Sequence, residues 1–282
     1  MNFSNPFVNF IIVGAMKCGT TTLADILKRH KQLAFCTIKE PQFFSESKDW
    51  QNDLGKFRQL FPAQLNGKLV GEASTGYSMY PEFNKRVWDD IFSFNPRMKI
   101  IYIMRDPVAR VVSHFIHNKM RGYTKRSFRD AVIKEPTYIN RTRYYTQIKP
   151  YIDTFGRHQV LLISFEDFLR RKKEVLREVA DFLGIENAFE DYEGVHSNKA
   201  KEDVNITLNR YLRNRVKNKY LKKIINSGYK WIYNINTTPP EVTQEMEEII
   251  WRMVEQDVEN IEKQMGRNLI EWPTCKKFKY HI

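Results

Sequence analysis

Two segments of this sequence have residue types and spacings suited to binding anions and moving a charged group. The first is Gly14-Ala15-Met16-Lys17-Cys18-Gly19-Thr20-Thr21-Thr22. It follows the apolar run Phe10-Ile11-Ile12-Val13 and leads into Leu23, Ile26 and Leu27 at helical spacing, so it reads as strand, tight loop, helix. Consecutive backbone amides in such a loop, with the helix N-terminus behind them, form an anion site that suits phosphate. The two glycines keep the spacing of G-x-x-x-x-G-K-[ST], but Thr20 stands where that pattern has its lysine. The loop's lysine is Lys17, which would lean toward the far end of a 5′-phosphate instead of toward metal-bound β/γ-phosphates. That suits a nucleotide whose single 5′-phosphate carries a transferable group. A glycine-threonine turn with a stray lysine is the plain structural alternative.

The second segment is Arg105-Asp106-Pro107-x-x-Arg110-x-x-Ser113, which follows the buried-looking strand Lys99-Ile100-Ile101-Tyr102-Ile103-Met104. An arginine at the carboxyl end of a parallel strand points into the crevice where open α/β sheets bind ligands. Its planar fork gives bidentate, charge-assisted hydrogen bonds to phosphate. Ser113, two turns into the next helix, is placed to add a hydroxyl donor to the same anion. Taken singly, Arg105 reads equally well as half of an ion pair.

The elements that must position these loops alternate along the chain. Short strands are expected at 10–13, 68–70, 99–104 and 160–164. Helices are expected at 20–30, at 107–119 with Asp106 as N-cap, at 165–183 ended by Gly184, and from Pro239-Pro240 to about Gly266. Apolar runs bounded by turns and alternating with helices imply a parallel sheet covered on both faces. The expected fold is therefore α/β, a single-domain three-layer sandwich of the P-loop type with a helical last third. The apolar face of 242–265 is expected to pack on the chain's own sheet. No repeat, low-complexity segment or linker divides the 282 residues, and one domain is expected over 7–275.

Composition sets further bounds. Lys and Arg number 46 against 33 Asp and Glu, a formal net charge of +13, which implies polyanionic partners without choosing among nucleic acid, an anionic membrane surface and a phosphorylated or sulfated small molecule. The basic residues recur in clusters at 121–129, 170–173 and 210–223, each of which also reads as solvated helix surface. No apolar run approaches the roughly 20 residues of a transmembrane helix. The first nine residues carry no basic residue and no cleavage site follows, unlike a secretory signal. Cys18, Cys36 and Cys275 are odd in number and lack CxxC pairing, so neither a disulfide framework nor a zinc site is expected and a reducing cytoplasm is the expected location.

The two segments, with Lys39-Glu40-Pro41-Gln42-Phe43-Phe44 between them, resemble the three signature segments of sulfotransferases that use 3′-phosphoadenosine 5′-phosphosulfate (PAPS). The likeness is strongest to the branch holding heparan sulfate sulfotransferase domains and their soluble bacterial relatives. Tyr144-x-x-Gln147-Ile148, Phe155-Gly156, Phe165-Glu166-Asp167-Phe168 and the ending Gly266-Arg267-Asn268-Leu269-Ile270-Glu271-Trp272 agree, so the resemblance covers about 8–272. It implies that Lys17, Cys18, Gly19, Thr20, Thr21 and Thr22 bind the 5′-phosphosulfate, and that Arg105 and Ser113 bind the 3′-phosphate. It further implies that Lys17 stabilises charge on the bridging oxygen and that Glu40 is the general base, with no metal required. Glu72 is the second candidate for the base.

The implied acceptor is a hydroxyl, less readily an amine, on a glycan-like or other small molecule, with its pocket expected after Glu40, around Gly76-Tyr77 and in the helical last third. His114 and His117 are expected to be supporting or surface residues. Cys18 is expected to act only in packing, with a thiol pKa open to lowering by the loop amides. His196-Ser197-Asn198 resembles the family's late closing loop, but Glu202-Asp203 replaces the Pro-Arg pair expected there, so Lys199 or Lys201 is only a candidate for closing the site. A small-molecule kinase of the P-loop type is the alternative, weakened by the missing Gly-Lys-Ser/Thr step. A nucleic-acid-binding protein is a further alternative that no motif supports.

Overall fold

The computed structural model describes residues 6–80, 82, 86–189 and 239–282. Five strands, β1 (Phe10–Gly14), β2 (Leu33–Phe35), β3 (Leu69–Ala73), β4 (Lys99–Met104) and β5 (Val160–Ser164), form one parallel sheet in the order β2-β3-β1-β4-β5. Helices α1 (Thr20–Leu27), α2 (Phe43–Glu46), α3 (Trp50–Arg58) and α4 (Val87–Phe94) precede β4. Helices α5 (Pro107–Met120), α6 (Phe128–Lys134), α7 (Thr137–Asn140) and α8 (Tyr144–Phe155) separate it from β5. After β5 come α9 (Phe165–Arg170), α10 (Lys172–Leu183), α11 (Gln244–Met265) and α12 (Pro273–Phe278).

Each central strand is apolar on both faces because both faces are covered. Along β1 and β4, Ile11, Val13, Ile100, Tyr102 and Met104 enter one core, packed by α4, α5, α8 and α11. Phe10, Ile12, Ile101 and Ile103 enter a second core, packed by α1 and α10. This is the three-layer α/β sandwich that the alternating pattern implies. In α11, Ile250, Trp251, Val254, Val258 and Ile261 join the first core, so its apolar face does pack on the chain's own sheet. Asp257 then receives the Tyr145 and Thr146 amides at 2.6 and 2.9 Å, satisfying first-turn donors of α8.

Several element boundaries differ from expectation; α1, for one, ends at Leu27 instead of running to His30. The helix over 165–183 is two helices, because Arg171 leaves helical geometry with φ −121° and ψ 47°. The last long helix starts at Gln244 instead of Pro240, since it is the Thr243 hydroxyl that caps the Met246 amide. Strand β3 runs past the apolar 68–70 through Gly71 and Glu72 to Ala73, and β2 had no distinct signal. Asp106 caps α5 through the Ala109 amide, and Gly184 and Gly266 end α10 and α11 in the left-handed region. The expected late loop around His196–Lys201 and the basic cluster at 210–223 lie outside the described residues.

Candidate active site

The strand order reverses at β1, whose neighbours are β3 on one side and β4 on the other. The loops leaving β1, β4 and β3 therefore meet at the carboxyl edge of the sheet, where such folds bind ligands. The first loop lies tight against the sheet. A Cβ on Gly14 would stand 2.1 Å from Ser78 Oγ and 2.8 Å from the Tyr102 ring, which leaves no room for a side chain. Lys17 and Gly19 take left-handed backbone angles, φ 69° and 90°. With Gly19 as N-cap and no side-chain cap, the first-turn amides of α1 have no intrahelical acceptor. They are the groups available to an anion at the loop.

Lys17 is half-buried, and its ammonium is held below the usual lysine range. Burial is the main cause; Lys39, Arg121 and Arg105 act in the same direction, while Glu40 opposes them. The fold thus gathers residues from three separate segments around one amine. Cys18 turns the other way. Its thiol is fully buried, 3.6 Å from the Tyr144 hydroxyl, and burial pushes its pKa up to about 12. The expected lowering by loop amides is corrected: desolvation outweighs it, and the sulfur faces the core.

Arg105 leaves β4 with its guanidinium over the Phe165 ring at 5.3 Å, and its buried Nε has no hydrogen-bond partner. The Tyr144 hydroxyl donates to the Arg105 carbonyl at 2.7 Å, so Tyr144 touches both anion loops. Asp106 is held from the far end of the chain, accepting the Thr274 amide at 2.8 Å. Ser113 is half-buried on α5, at helical spacing from Arg110 and His117. Arg110 itself is fully buried, bonded to the Tyr138 carbonyl and 3.4 Å from His114 Nδ1; it supports α7 and does not face the crevice. His114 is likewise buried against Tyr138. His117 is half-buried, and its pKa falls to about 4 through burial first, then Lys17 and Arg121. It is closer to the site than a surface position would be.

The two candidate carboxylates separate cleanly. Glu40 is half-buried with φ 50°, and its Oε2 accepts from Thr75 Oγ1 and Gln42 Nε2, both at 3.3 Å. Glu72 on β3 is wholly buried and accepts the Ser74 hydroxyl at 2.8 Å. Burial pushes its pKa up to about 7, with Glu40 adding in the same direction. An acceptor cannot reach it, so Glu72 is not the base. Tyr77 is buried as well and does not line an acceptor pocket. A shallow cleft opens instead between α1, at Thr21, Asp25 and Lys28, and the segment carrying Phe35, Ile38 and Glu40. It lies on the β2–β3 side of the first loop, away from Arg105.

Comparison with known proteins gives the family of the chain. A model of the sulfotransferase domain matches residues 8–251. The chain belongs to the sulfotransferase family. Among curated proteins it is 28% identical over 190 residues to mouse heparan sulfate glucosamine 3-O-sulfotransferase 3B1, covering 64% of this chain and 47% of that protein. It is 24% identical over 320 residues to the membrane-associated sulfotransferase kil1 of Dictyostelium discoideum, covering 79% and 66%. The chain thus spans about half the length of the mouse relative. Among solved structures, a sulfotransferase from Alicyclobacillus acidocaldarius superposes with a TM-score of 0.67 at 26% identity, over 94% of this chain and 98% of that one.

Lys39, Arg121, Tyr144 and Phe165 are residues of this site to which the motifs gave no role, and His117 was expected only as a supporting or surface residue. Lys39 and Arg121 stood beside recognised segments and carried charge. Tyr144 and Phe165 had only their place in family-like stretches to mark them.

Proposed function

We propose that this chain transfers the sulfuryl group of PAPS to a hydroxyl of a carbohydrate-like acceptor. The observation that carries the reading is the approach of Lys17, Arg105 and Glu40 from three separate segments to one edge of the sheet. The residues fit the donor: α1 offers uncapped first-turn amides, and Arg105 keeps a buried Nε without a protein partner. Lys17 and the first-turn amides would hold the 5′-phosphosulfate, while Arg105 with Ser113 would take the 3′-phosphate.

In this reading the acceptor oxygen attacks sulfur, the bond from sulfur to the 5′-phosphate oxygen breaks, and the hydroxyl proton passes to Glu40. 3′-Phosphoadenosine 5′-phosphate (PAP) leaves. Lys17 favours this step by meeting the negative charge that grows on the bridging oxygen, a role typically worth about 3–4 kcal/mol. Glu40 lines the cleft beside α1 and would draw the proton there. Thr75 and Gln42 hold its carboxylate in place. The lining mixes Phe35 with the charged Asp25 and Lys28, which suits a sugar ring with its apolar face and polar edges. The heparan sulfate sulfotransferases among its relatives support the same acceptor class.

The test is binding followed by transfer. PAP should bind much more tightly than AMP, and labelled PAPS should pass its label to a member of a glycan and small-alcohol panel. Equal affinity for PAP and AMP would remove the 3′-phosphate assignment. Magnesium-dependent ATP turnover would return the kinase reading.

A further inference from the structure

Glu72 is excluded as the base by burial, yet it lies at the centre of what holds the base. The segment bearing Glu40 makes an unusual turn: Glu40 and Gln42 both have left-handed φ, 50° and 54°, a conformation that costs free energy in residues other than glycine unless the surroundings hold it. Two amides of this segment are held from the chain that follows β3. The Gln42 amide donates to Ser74 Oγ at 3.1 Å, and the Phe44 amide donates to the Tyr77 hydroxyl at 3.3 Å. A hydroxyl has one hydrogen, so its lone pairs face these amides only when that hydrogen points elsewhere.

For Ser74 the hydrogen goes to Glu72 Oε2 at 2.8 Å. The Tyr77 hydroxyl lies beside the same carboxyl, whose Oε1 is buried without a hydrogen-bond partner. We propose that Glu72 is a positioning residue for the general base. In its ionised form it takes the Ser74 hydroxyl on Oε2 and leaves Oε1 open to the Tyr77 hydroxyl, turning their lone pairs onto the Gln42 and Phe44 amides and so fixing the turn that presents Glu40.

The isolation of Glu72 agrees with this role. It touches no solvent and no crevice, and a buried carboxyl without a structural task is costly. It sits in β3, where the register Ile11 to Glu72 fixes its height beside the first loop. Thr75, in the same turn, donates directly to Glu40. The short stretch 72–77 therefore supports Glu40 both through its backbone and through its carboxylate.

The inference rests on the sulfotransferase reading, and its test separates the two. Glu72→Gln, Ser74→Ala and Tyr77→Phe are compared with wild type above pH 7, where the Glu72 carboxyl is ionised, in three measurements: PAP binding by calorimetry, turnover of labelled PAPS with a panel of glycans and small alcohols as acceptors, and carbon NMR of the Glu40 carboxyl. Glu72→Gln replaces one acceptor oxygen by an amide donor, so one hydroxyl must turn away. The expected result is unchanged PAP affinity, a fall in turnover of about 10- to 100-fold, and a displaced Glu40 resonance.

Ser74→Ala and Tyr77→Phe, which leave Glu72 in place, should each reproduce part of the loss. A Glu72→Gln protein that binds PAP, turns over like wild type and keeps the Glu40 resonance overturns the positioning role. Wild type that neither binds PAP nor turns over PAPS, with the resonance still moving in Glu72→Gln, refutes the PAPS-transfer reading and leaves the positioning in place.

Discussion

Phe165 occupies the space that a side chain at Gly19 would need: a Cβ there would stand 2.4 Å from Phe165 Cε2. The other partner of the same ring is Arg105, whose guanidinium lies 5.3 Å from its centroid. One aromatic side chain from the start of α9 thus braces both anion-binding loops, which are separated by 86 residues in the numbering from 19 to 105. Replacing Phe165 by Ala should lower PAP affinity by about 3- to 30-fold, the range set by losing a partly desolvated cation–π contact. AMP, which lacks the 3′-phosphate, should lose less. Calorimetry with the two nucleotides measures the difference, and an equal loss for both would show that the ring serves the loop alone.

Gly19→Ala should be worse than Phe165→Ala. It adds strain at φ 90° and collides with the ring, and such a change costs about 1–3 kcal/mol where backbone and packing both resist it. The double variant Gly19→Ala with Phe165→Ala should recover part of the stability but not the PAP affinity. Urea unfolding of the three proteins checks the first half and calorimetry the second.

Much of the sheet is legible in the sequence, because central parallel strands are apolar on both faces. Lys99–Met104 and Val160–Ser164 stand out for that reason. β3 is half hidden because Glu72 interrupts its apolar run, and that residue is tolerated only through hydroxyls three-dimensional packing brings to it. Arg105 and Arg110 look alike in their shared motif. Topology alone separates them, placing one at the strand's end beside the crevice and the other on the inner face of α5. The surroundings of Lys17 come from segments far apart in sequence, Lys39, Arg105 and Arg121, and no local pattern announces that they meet.

Lys17→Ala should reduce turnover by about 100- to 1,000-fold, the usual cost of removing one donor to a developing oxyanion, while changing PAP affinity far less. Its crowded surroundings add a condition. Lys39, Arg121 and Arg105 already hold its ammonium below the usual range, so Lys39→Glu should raise the Lys17 pKa. Turnover in that variant should persist to higher pH than in wild type. A pH profile that ends at the same point in both proteins would mean that Lys17 is not the group lost at alkaline pH.

The three cysteines should be inert in the native protein. All are buried, and burial raises each thiol: Cys18 to about 12, Cys36 to about 11, and Cys275 further still. Because the thiolate is the reactive form, iodoacetamide at neutral pH should leave all three unmodified and PAP binding intact. Mass spectrometry of intact protein reads this directly. Rapid labelling of Cys18 with loss of PAP binding would show that the first loop opens to solvent.

Stability should depend on pH through Glu72 with a definite sign. Its folded pKa is raised from 4.5 to about 7, so between those values the native state holds a proton that the unfolded chain has released. Its contribution is fully present below about 4.5 and is lost as pH rises toward 7, by up to about 3 kcal/mol. Glu166, also raised to about 7, acts in the same direction. His117 acts oppositely: its folded pKa is lowered from 6.5 to about 4, so the unfolded chain binds the extra proton and stability rises with pH across that window. His114, also held low by burial, adds to this opposing trend. The net wild-type curve is therefore a poor test, and the difference between proteins is the useful one. Relative to wild type, Glu72→Gln should gain stability steadily from pH 4.5 to 7, measured as urea midpoints at matched ionic strength. A constant offset between the two proteins across that range would mean that Glu72 titrates normally and is reached by water.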